Sequence, residues 1–189
     1  MDKSALIALI KKLYPHISEA SLEAFLQHAD YITFPRGTKL IKEGQSHPFF
    51  YFMLKGGVKS YYLKDGKEVC LWFAFEHEMI GTMKTMDGVP SNETIELLED
   101  SEFLRFKTEE ITNLAKTDID LSHLMIIWIA EYASYLEERL YQLQFMSSKE
   151  RYLSLLEAEP ALLQKISLTD IASYLGVSRE TVSRIRAQI

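Results

Sequence analysis

Cysteine is nearly absent from this chain, and its scarcity excludes several kinds of site. Cys70 is the only cysteine among 189 residues, so no internal disulfide and no four-cysteine zinc or iron–sulfur centre is expected within one chain. The histidines lack the short spacings of metal sites. They are His16, His28, His47, His77 and His123. No phosphate-binding glycine loop or nucleophile–base pair is evident either, so the sequence predicts neither an enzyme nor a bound metal.

Long apolar runs are absent as well. The run Leu124–Ala130 has seven residues, whereas about 20 are needed to span a bilayer. The first 16 residues contain an apolar stretch without a small-residue cleavage site, and Lys11 and Lys12 follow it. This is typical of an amphipathic helix and not of a signal peptide. We therefore predict a cytoplasmic protein without a membrane partner.

An excess of basic residues, which many nucleic-acid-binding proteins show, is also missing. The chain has 21 Lys and Arg against 27 Asp and Glu, and its formal net charge is −6. The distribution is uneven, however, and it matters more than the sum. Residues 147–189 carry six basic and five acidic side chains, hence +1, and the first 146 residues carry −7. An acidic body with a mildly basic end is compatible with a DNA-binding tip but does not establish one.

The spacing of apolar residues divides the chain into regions. Residues 4–28 have the pattern of two short helices. From Tyr31 to Phe106 the pattern changes to short strands separated by glycine-containing turns. Asp65-Gly66 in particular predicts a two-residue hairpin, because a type I′ turn needs positive φ at both central positions. Many short strands with regular turns favour an antiparallel sandwich, barrel or jelly roll, which the spacing alone does not distinguish.

A short helix is predicted over residues 108–116 and a long one over 119–145. The long helix has two apolar stripes. One comprises Leu121, Leu124, Trp128 and Tyr135, and the other comprises Met125, Ile129, Tyr132, Leu136, Leu140 and Leu143. Because a helix that is apolar on two sides must bury both, we predict that it also pairs with a second copy of itself, with Leu124, Trp128 and Tyr135 at the dimer contact. The alternative is that both stripes belong to the core of one chain.

The segment LTDIASYLGVSRETVSRIRA near the end of the chain has the pattern of a helix-turn-helix. Gly176 stands where the chain must turn through a left-handed conformation, and Ser178 can cap the following helix. The facing apolar positions are Ile171, Ala172 and Leu175 on the first helix and Val182 and Ile185 on the second.

The second helix of this segment carries the side chains that could contact DNA bases. Arginine can bind guanine O6 and N7, and glutamate can accept from cytosine N4. The predicted base-reading residues are Arg179, Glu180, Ser183 and Arg184, and the predicted phosphate contacts are Thr169 and Ser178. The alternative is a helical hairpin whose charged face is merely solvated or contacts another protein.

The order of these parts, and the segment GVSRETVSRI above all, resembles the Crp/Fnr family of bacterial transcription regulators over essentially the whole chain. The resemblance implies an α+β fold: an antiparallel β-roll sensor domain of the double-stranded β-helix or jelly-roll type (residues 1–118), a long dimerisation helix (119–146) and a small all-α helix-turn-helix domain (147–189). It also implies a homodimer that binds a two-fold symmetric site in double-stranded DNA, and it raises RNA polymerase as a further partner.

Two departures from the family pattern affect what is expected of the DNA-binding end and of the cofactors. No β-hairpin wing follows the second helix, so weaker and less salt-dependent DNA binding is expected. The family's haem sensor has a histidine near the position of Lys84, so no haem is expected as a cofactor. No iron–sulfur cluster is expected either, because the chain has a single cysteine.

The residues at the cyclic-nucleotide pocket that the resemblance implies also differ from the family pattern. Gly81-Thr82-Met83 stands where the family has Gly-Glu-Leu, and Asn92, followed by Glu93, stands where it has the phosphate-binding arginine. Leu136 falls where the long helix of the family contacts the base. Because asparagine cannot replace a bidentate, charge-assisted arginine, we expect no dependence on cyclic AMP, and the effector, if there is one, is not identified.

Two functions follow from these observations. The first is a DNA-binding transcription regulator. The alternative is a ligand-sensing or protein-interaction module whose degenerate helix-turn-helix no longer binds DNA.

Overall fold

The computed structural model describes residues 3–158 and 165–188. The helices in these residues are α1 (Lys3–Leu13), α2 (Glu19–Leu26), α3 (Met83–Asp87), α4 (Thr108–Ala115), α5 (Ile119–Phe145), α6 (Ser148–Ala158), α7 (Leu168–Leu175) and α8 (Arg179–Arg186). The strands are β1 (Asp30–Phe34), β2 (Lys39–Ile41), β3 (Phe49–Lys55), β4 (Val58–Lys64), β5 (Lys67–Ala74), β6 (Met79–Ile80), β7 (Thr94–Leu97) and β8 (Ser101–Lys107). The sequence also predicts a short helical segment at residues 161–166, of which residues 161–164 lie outside the described residues.

The strands form two four-stranded antiparallel sheets, with the orders β1-β8-β3-β6 and β2-β7-β4-β5. Apolar side chains from both sheets fill the space between them, among them Tyr51, Ile95 and Phe103. The predicted α+β fold with a β-roll is therefore confirmed. None of the helices in the described part of the chain has the length and apolar character that crossing a membrane requires.

The predicted hairpin at Asp65-Gly66 is present between β4 and β5. Asp65 has φ +53° and Gly66 has φ +74°, and the flanking residues Lys64 and Lys67 are paired across the strands. Positive φ at both central residues matches the twist of a two-residue hairpin. The turn sets the pairing as far as Tyr61 with Cys70, and a bulge between Ser60 and Tyr61 shifts the register beyond it. The ribbon also contacts the C-terminal helices.

Helix α5 begins and ends at the predicted residues. The Asp118 side chain caps it by accepting hydrogen bonds from the backbone N–H groups of Asp120 and Leu121. At 27 residues, it is about 40 Å long at 1.5 Å per residue. It therefore runs from the helices that pack on the first sheet to the C-terminal helices.

The prediction that Leu124, Trp128 and Tyr135 form the dimer contact is wrong, because all three pack within the chain. The Leu124 side chain is 2% exposed. The Trp128 ring lies against the rings of Tyr14, Phe25 and Phe50. The Tyr135 hydroxyl donates a hydrogen bond of 3.1 Å to the Leu71 carbonyl oxygen. This side of α5 covers the β-roll and helices α1 and α2.

The opposite side of α5 presents an exposed apolar stripe. We call it the outer stripe; it consists of Ile126, Ile129, Ala133, Leu136, Leu140 and Leu143. Its five large side chains are 40–61% exposed. Leu136, which was predicted to line the ligand pocket, belongs to this stripe and points away from the roll. The spacing of three and four residues in alternation is that of a two-helix seam.

Helix α7 packs directly against strand β5 of the roll. The Lys59 ammonium contacts the carboxylates of Asp170 at 3.1 Å and Glu68 at 2.6 Å. The Ser173 hydroxyl accepts from the backbone N–H of Cys70 and donates to the Glu68 carbonyl oxygen, both at 2.9 Å. A buried hydrophobic cluster joins Cys70 of β5 to residues of the C-terminal helices. The C-terminal helices and the roll therefore share an interface with both polar and apolar contacts.

Candidate nucleic-acid interface and internal cavities

Helices α7 and α8 are joined by the turn that the sequence predicts. Gly176 ends α7 with φ +69°, a left-handed conformation that glycine adopts without a steric penalty. The Ser178 hydroxyl caps α8 by accepting from the Thr181 N–H at 3.2 Å. The cap of α7 is Ser167, whose hydroxyl accepts from the Asp170 N–H at 3.0 Å. Thr169, a predicted phosphate contact, lies within the first turn of α7.

The two helices pack through the predicted apolar positions. Ile171, Ala172 and Leu175 of α7 are buried, and so are Val182 and Ile185 of α8. Tyr152 of α6 belongs to the same cluster. Because these side chains fix how α8 crosses α7, they determine which face of α8 remains in solvent.

The predicted base-reading side chains lie on the solvent face of α8. Arg179, Glu180, Ser183 and Arg184 are all exposed. Arg184 Nη2 lies 3.3 Å from Thr181 Oγ1, one turn earlier on the same helix. Thr169 and Ser178, the predicted phosphate contacts, are exposed as well. The arrangement presents donors and one carboxylate acceptor on a helix that is free to enter a groove.

The charge state of Glu180 suits hydrogen-bond acceptance. Hydrogen bonds from its own backbone N–H and from the Ser178 hydroxyl hold the pKa of the Glu180 carboxyl below the ordinary value. The neighbouring arginines Arg179 and Arg184 act in the same direction. Glu180 is therefore ionised at neutral pH and can accept from a base amino group.

The contact between α7 and the roll is electrostatically well matched at Lys59. Burial lowers the pKa of this ammonium group, but hydrogen bonds to Glu68 and Asp170 outweigh burial and raise the pKa above its ordinary value. Lys59 is thus charged and paired with two carboxylates. On the α5 side, the Arg139 guanidinium stacks over the Tyr174 ring at 3.9 Å and donates to the Tyr174 carbonyl oxygen.

The six residues predicted to form the ligand pocket lie in different places. Gly81, Thr82 and Met83 line a cavity of about 140 Å³ between α3 and α5. Thr82 also caps α3, since its hydroxyl accepts from the Thr85 N–H at 3.1 Å. Asn92 is exposed, and Leu136 belongs to the outer stripe. The prediction of one pocket that includes Asn92 and Leu136 is therefore wrong.

Glu93 lies inside the roll, in a polar group that the sequence analysis missed. Its carboxylate accepts hydrogen bonds from the Ser60 hydroxyl and, at 3.1 Å, from the Trp72 indole N–H. Burial raises the pKa of the Glu93 carboxyl, although these two hydrogen bonds act in the opposite direction. The partners come from β4 and β5, so no local sequence signal connects them to Glu93.

We expect Glu93 to make the free energy of unfolding depend on pH. The Glu93 carboxyl has a higher pKa in the folded than in the unfolded protein. The free energy of unfolding therefore falls as the pH rises from the unfolded-state pKa, about 4.3, through the folded-state pKa. Glu93→Gln should remove this fall, so the variant should gain stability relative to the wild type as the pH rises. Urea unfolding at several pH values measures the difference, with the exposed Glu137→Gln as the control. A difference that does not change with pH would contradict the assignment.

Two protein-family models match this chain. Residues 31–118 match the cyclic nucleotide-binding domain, and residues 165–185 match the family of bacterial regulatory proteins called the crp family. Together the matches cover more than half of the chain, in the order that the resemblance implies. The chain belongs to the Crp/Fnr family. This is a family of DNA-binding transcription regulators and not of enzymes.

Individual relatives of this Crp/Fnr protein are distant in sequence but extend over most of its length. The cAMP-activated global transcriptional regulator CRP of Escherichia coli O6:H1 is 24% identical over 181 residues, which cover 89% of this chain and 86% of the relative.

Solved structures of the family are similarly distant. The structure of FixK2 from Bradyrhizobium japonicum is 23% identical, with a TM-score of 0.75, and covers 85% of this chain and 83% of its own. The c-di-GMP responsive global regulator CLP of Xanthomonas campestris is 17% identical, with a TM-score of 0.72, covering 90% and 91% respectively. These likenesses show a shared fold.

Proposed function

We propose that this protein is a homodimeric regulator that binds a two-fold symmetric DNA operator, with α8 in the major groove. The observation that carries the proposal is the exposed set Arg179, Glu180, Ser183 and Arg184 on a helix whose opposite face is packed on α7. Arg179 and Arg184 supply bidentate donors for guanine, and Glu180 supplies an acceptor for the cytosine amino group. By the family resemblance, a half-site with a G·A step is expected.

The outer stripe of α5 supports the homodimer. Its five large aliphatic side chains are 40–61% exposed along one side of the helix, and a contiguous exposed apolar surface of this kind marks a contact site for another molecule. A second copy of α5 would cover them in the manner of a coiled coil. Such a dimer would place two copies of α8 on one side, about one turn of DNA or 34 Å apart. Since its target is chromosomal DNA, we propose a cytoplasmic location.

The regulator is proposed to act independently of cyclic AMP, although the Escherichia coli relative is activated by that nucleotide. Thr82 stands where the family has the glutamate of Gly-Glu-Leu, which by the resemblance binds the ribose of the nucleotide, and its hydroxyl instead caps α3. At the phosphate-binding position the exposed Asn92 is followed by the buried Glu93. The two donors to this carboxylate, Ser60 and Trp72, are uncharged. A phosphate would meet a carboxylate there and not a cation, which is unfavourable in a desolvated interior.

Full-length protein should therefore give no saturable heat when it is titrated with cyclic AMP or cyclic GMP at physiological concentrations. Each lost charge-assisted hydrogen bond removes roughly 1.5–3 kcal/mol, and two are missing. Isothermal titration calorimetry measures this directly. Saturable binding in the micromolar range would mean that another cation, such as Lys84, holds the phosphate.

Selection of bound sites from random double-stranded DNA tests the proposed function. We expect enrichment of two inverted half-sites whose centres are about one helical turn apart. If no sequence is enriched while the protein is folded and dimeric, the proposal fails. The alternative, an interaction module whose helix-turn-helix no longer binds DNA, would then be favoured, and the negative net charge of residues 1–146 is consistent with it.

A further inference from the structure

The cavity between α3 and α5 has walls of an unusual composition. Met79, Met83, Met86 and Met125, four of the seven methionines in the chain, line it. The rings of Phe50, Trp128 and Tyr132 complete much of the remaining wall. Methionine side chains are unbranched and polarisable, so they adapt to the shape of a ligand and make favourable contacts with aromatic rings.

Two polar groups in this wall lack a hydrogen-bond partner among the described residues: the Thr108 hydroxyl and the Trp128 indole N–H. The Thr108 side chain is 8% exposed, and its hydroxyl has no hydrogen-bond partner in the described part of the chain. The backbone of Thr108 is satisfied, since its N–H donates to the Pro48 carbonyl and its own carbonyl accepts from the Thr112 hydroxyl. In contrast, the hydroxyls of Thr82 and Thr85 lie 3.1 Å apart and bond to each other. A buried hydroxyl without a partner costs free energy unless something binds to it.

The size of the cavity limits its occupant. An apolar cavity of about 150 Å³ stays dry and binds benzene, and the volume here is about 140 Å³. Met83 and Met86 of the wall are exposed, so the cavity is open on that side. A single aromatic ring with a small substituent therefore fits.

We propose that this cavity binds a small, uncharged aromatic molecule that carries one hydrogen-bonding group, and that this group pairs with the Thr108 hydroxyl. None of the described residues that line the cavity carries a charge, so a charged ligand would lose its hydration without a partner. Gly81, Thr82 and Met83, which stand where the family has Gly-Glu-Leu, belong to the wall, whereas Asn92 and Glu93, at the position of the family's phosphate site, do not. The inference goes beyond the proposed function, and it would stand even if the DNA selection failed.

Three compounds of similar size test the proposal: toluene, benzyl alcohol and benzoate. With ¹³C-methyl-labelled methionine, toluene and benzyl alcohol should shift the signals of the four cavity methionines saturably in NMR spectra. Met53, which is buried inside the roll, should not respond. Benzyl alcohol should bind about 2- to 10-fold more tightly than toluene, as one net hydrogen bond implies. Benzoate should not bind.

Two variants identify the site. Thr108→Val keeps the shape of the side chain and should remove the advantage of benzyl alcohol while leaving toluene binding unchanged. Since valine replaces an unpaired hydroxyl, the melting temperature should stay the same or rise, which also shows that the variant is folded. Met83→Trp, at the exposed rim, should abolish binding of both compounds. Unsaturable shifts, equal shifts at Met53, binding of benzoate as tight as that of toluene, or an undiminished alcohol preference in Thr108→Val would each overturn the proposal.

Discussion

Replacing Leu136 and Leu140 together by glutamate should convert a dimer into a monomer and remove operator binding. Both side chains lie in the middle of the outer stripe and are about half exposed in the single chain. In a helix pair, two buried carboxylates per chain would face each other without partners, which is strongly unfavourable. Losing the second half-site should weaken operator binding by about 10²- to 10⁴-fold, because the two contacts no longer act together. Light scattering and DNA titration measure the two effects.

The control for this double variant is Ser134→Glu, which adds a carboxylate to an exposed position of α5 outside the outer stripe. It should remain dimeric and bind the operator. The circular dichroism spectrum of the double variant should be unchanged, because neither leucine belongs to a buried hydrophobic cluster among the described residues. A wild-type protein that is monomeric at micromolar concentration would overturn the proposed dimer.

Arg184→Ala should remove the preference for the G·A-containing half-site. A bidentate arginine contact to guanine discriminates by about 1–3 kcal/mol, or about 5- to 150-fold per half-site. A dimer has two half-sites, so the loss of specificity applies twice. Competition between the selected operator and a version with the G·C pair replaced measures it. Binding to unrelated DNA at low salt should change little.

Arg186→Ala is the matched control, since Arg186 is exposed on the same helix but is not in the predicted base-reading set. It should weaken binding to all sequences about equally, as expected for loss of a phosphate contact. If Arg184→Ala instead behaves like this control, Arg184 contacts phosphate and the proposed orientation of α8 in the groove is wrong.

The elements that could be predicted are those whose signals are local. Asp65-Gly66 and Gly176 occupy backbone conformations with positive φ, and each marks its turn within a few residues of sequence. Ser178 and the solvent face of α8 follow from helical spacing in the same way. The end of α5 was predictable because the apolar stripes stop there.

The errors concern contacts between distant parts of the chain. Both stripes of α5 are apolar, so composition could not show that Trp128 packs on Tyr14 and Phe25 while Leu136 faces solvent. Similarly, Glu93 was predicted to line the pocket because it follows Asn92, which aligns in sequence with the family's phosphate-binding arginine. Its donors Ser60 and Trp72 are more than 20 residues away in sequence, and only the pairing of the strands brings them together.

The packing of α7 on β5 has a consequence for how the protein folds. Cys70, a strand residue, belongs to the same buried cluster as Leu175 and Val182, and Lys59 neutralises Asp170 across that contact. A fragment that begins at residue 147 would therefore leave part of its apolar surface uncovered and one carboxylate without its partner. The stability of the folded helix-turn-helix therefore depends on its contacts with the roll. We expect the chain to unfold as one cooperative unit.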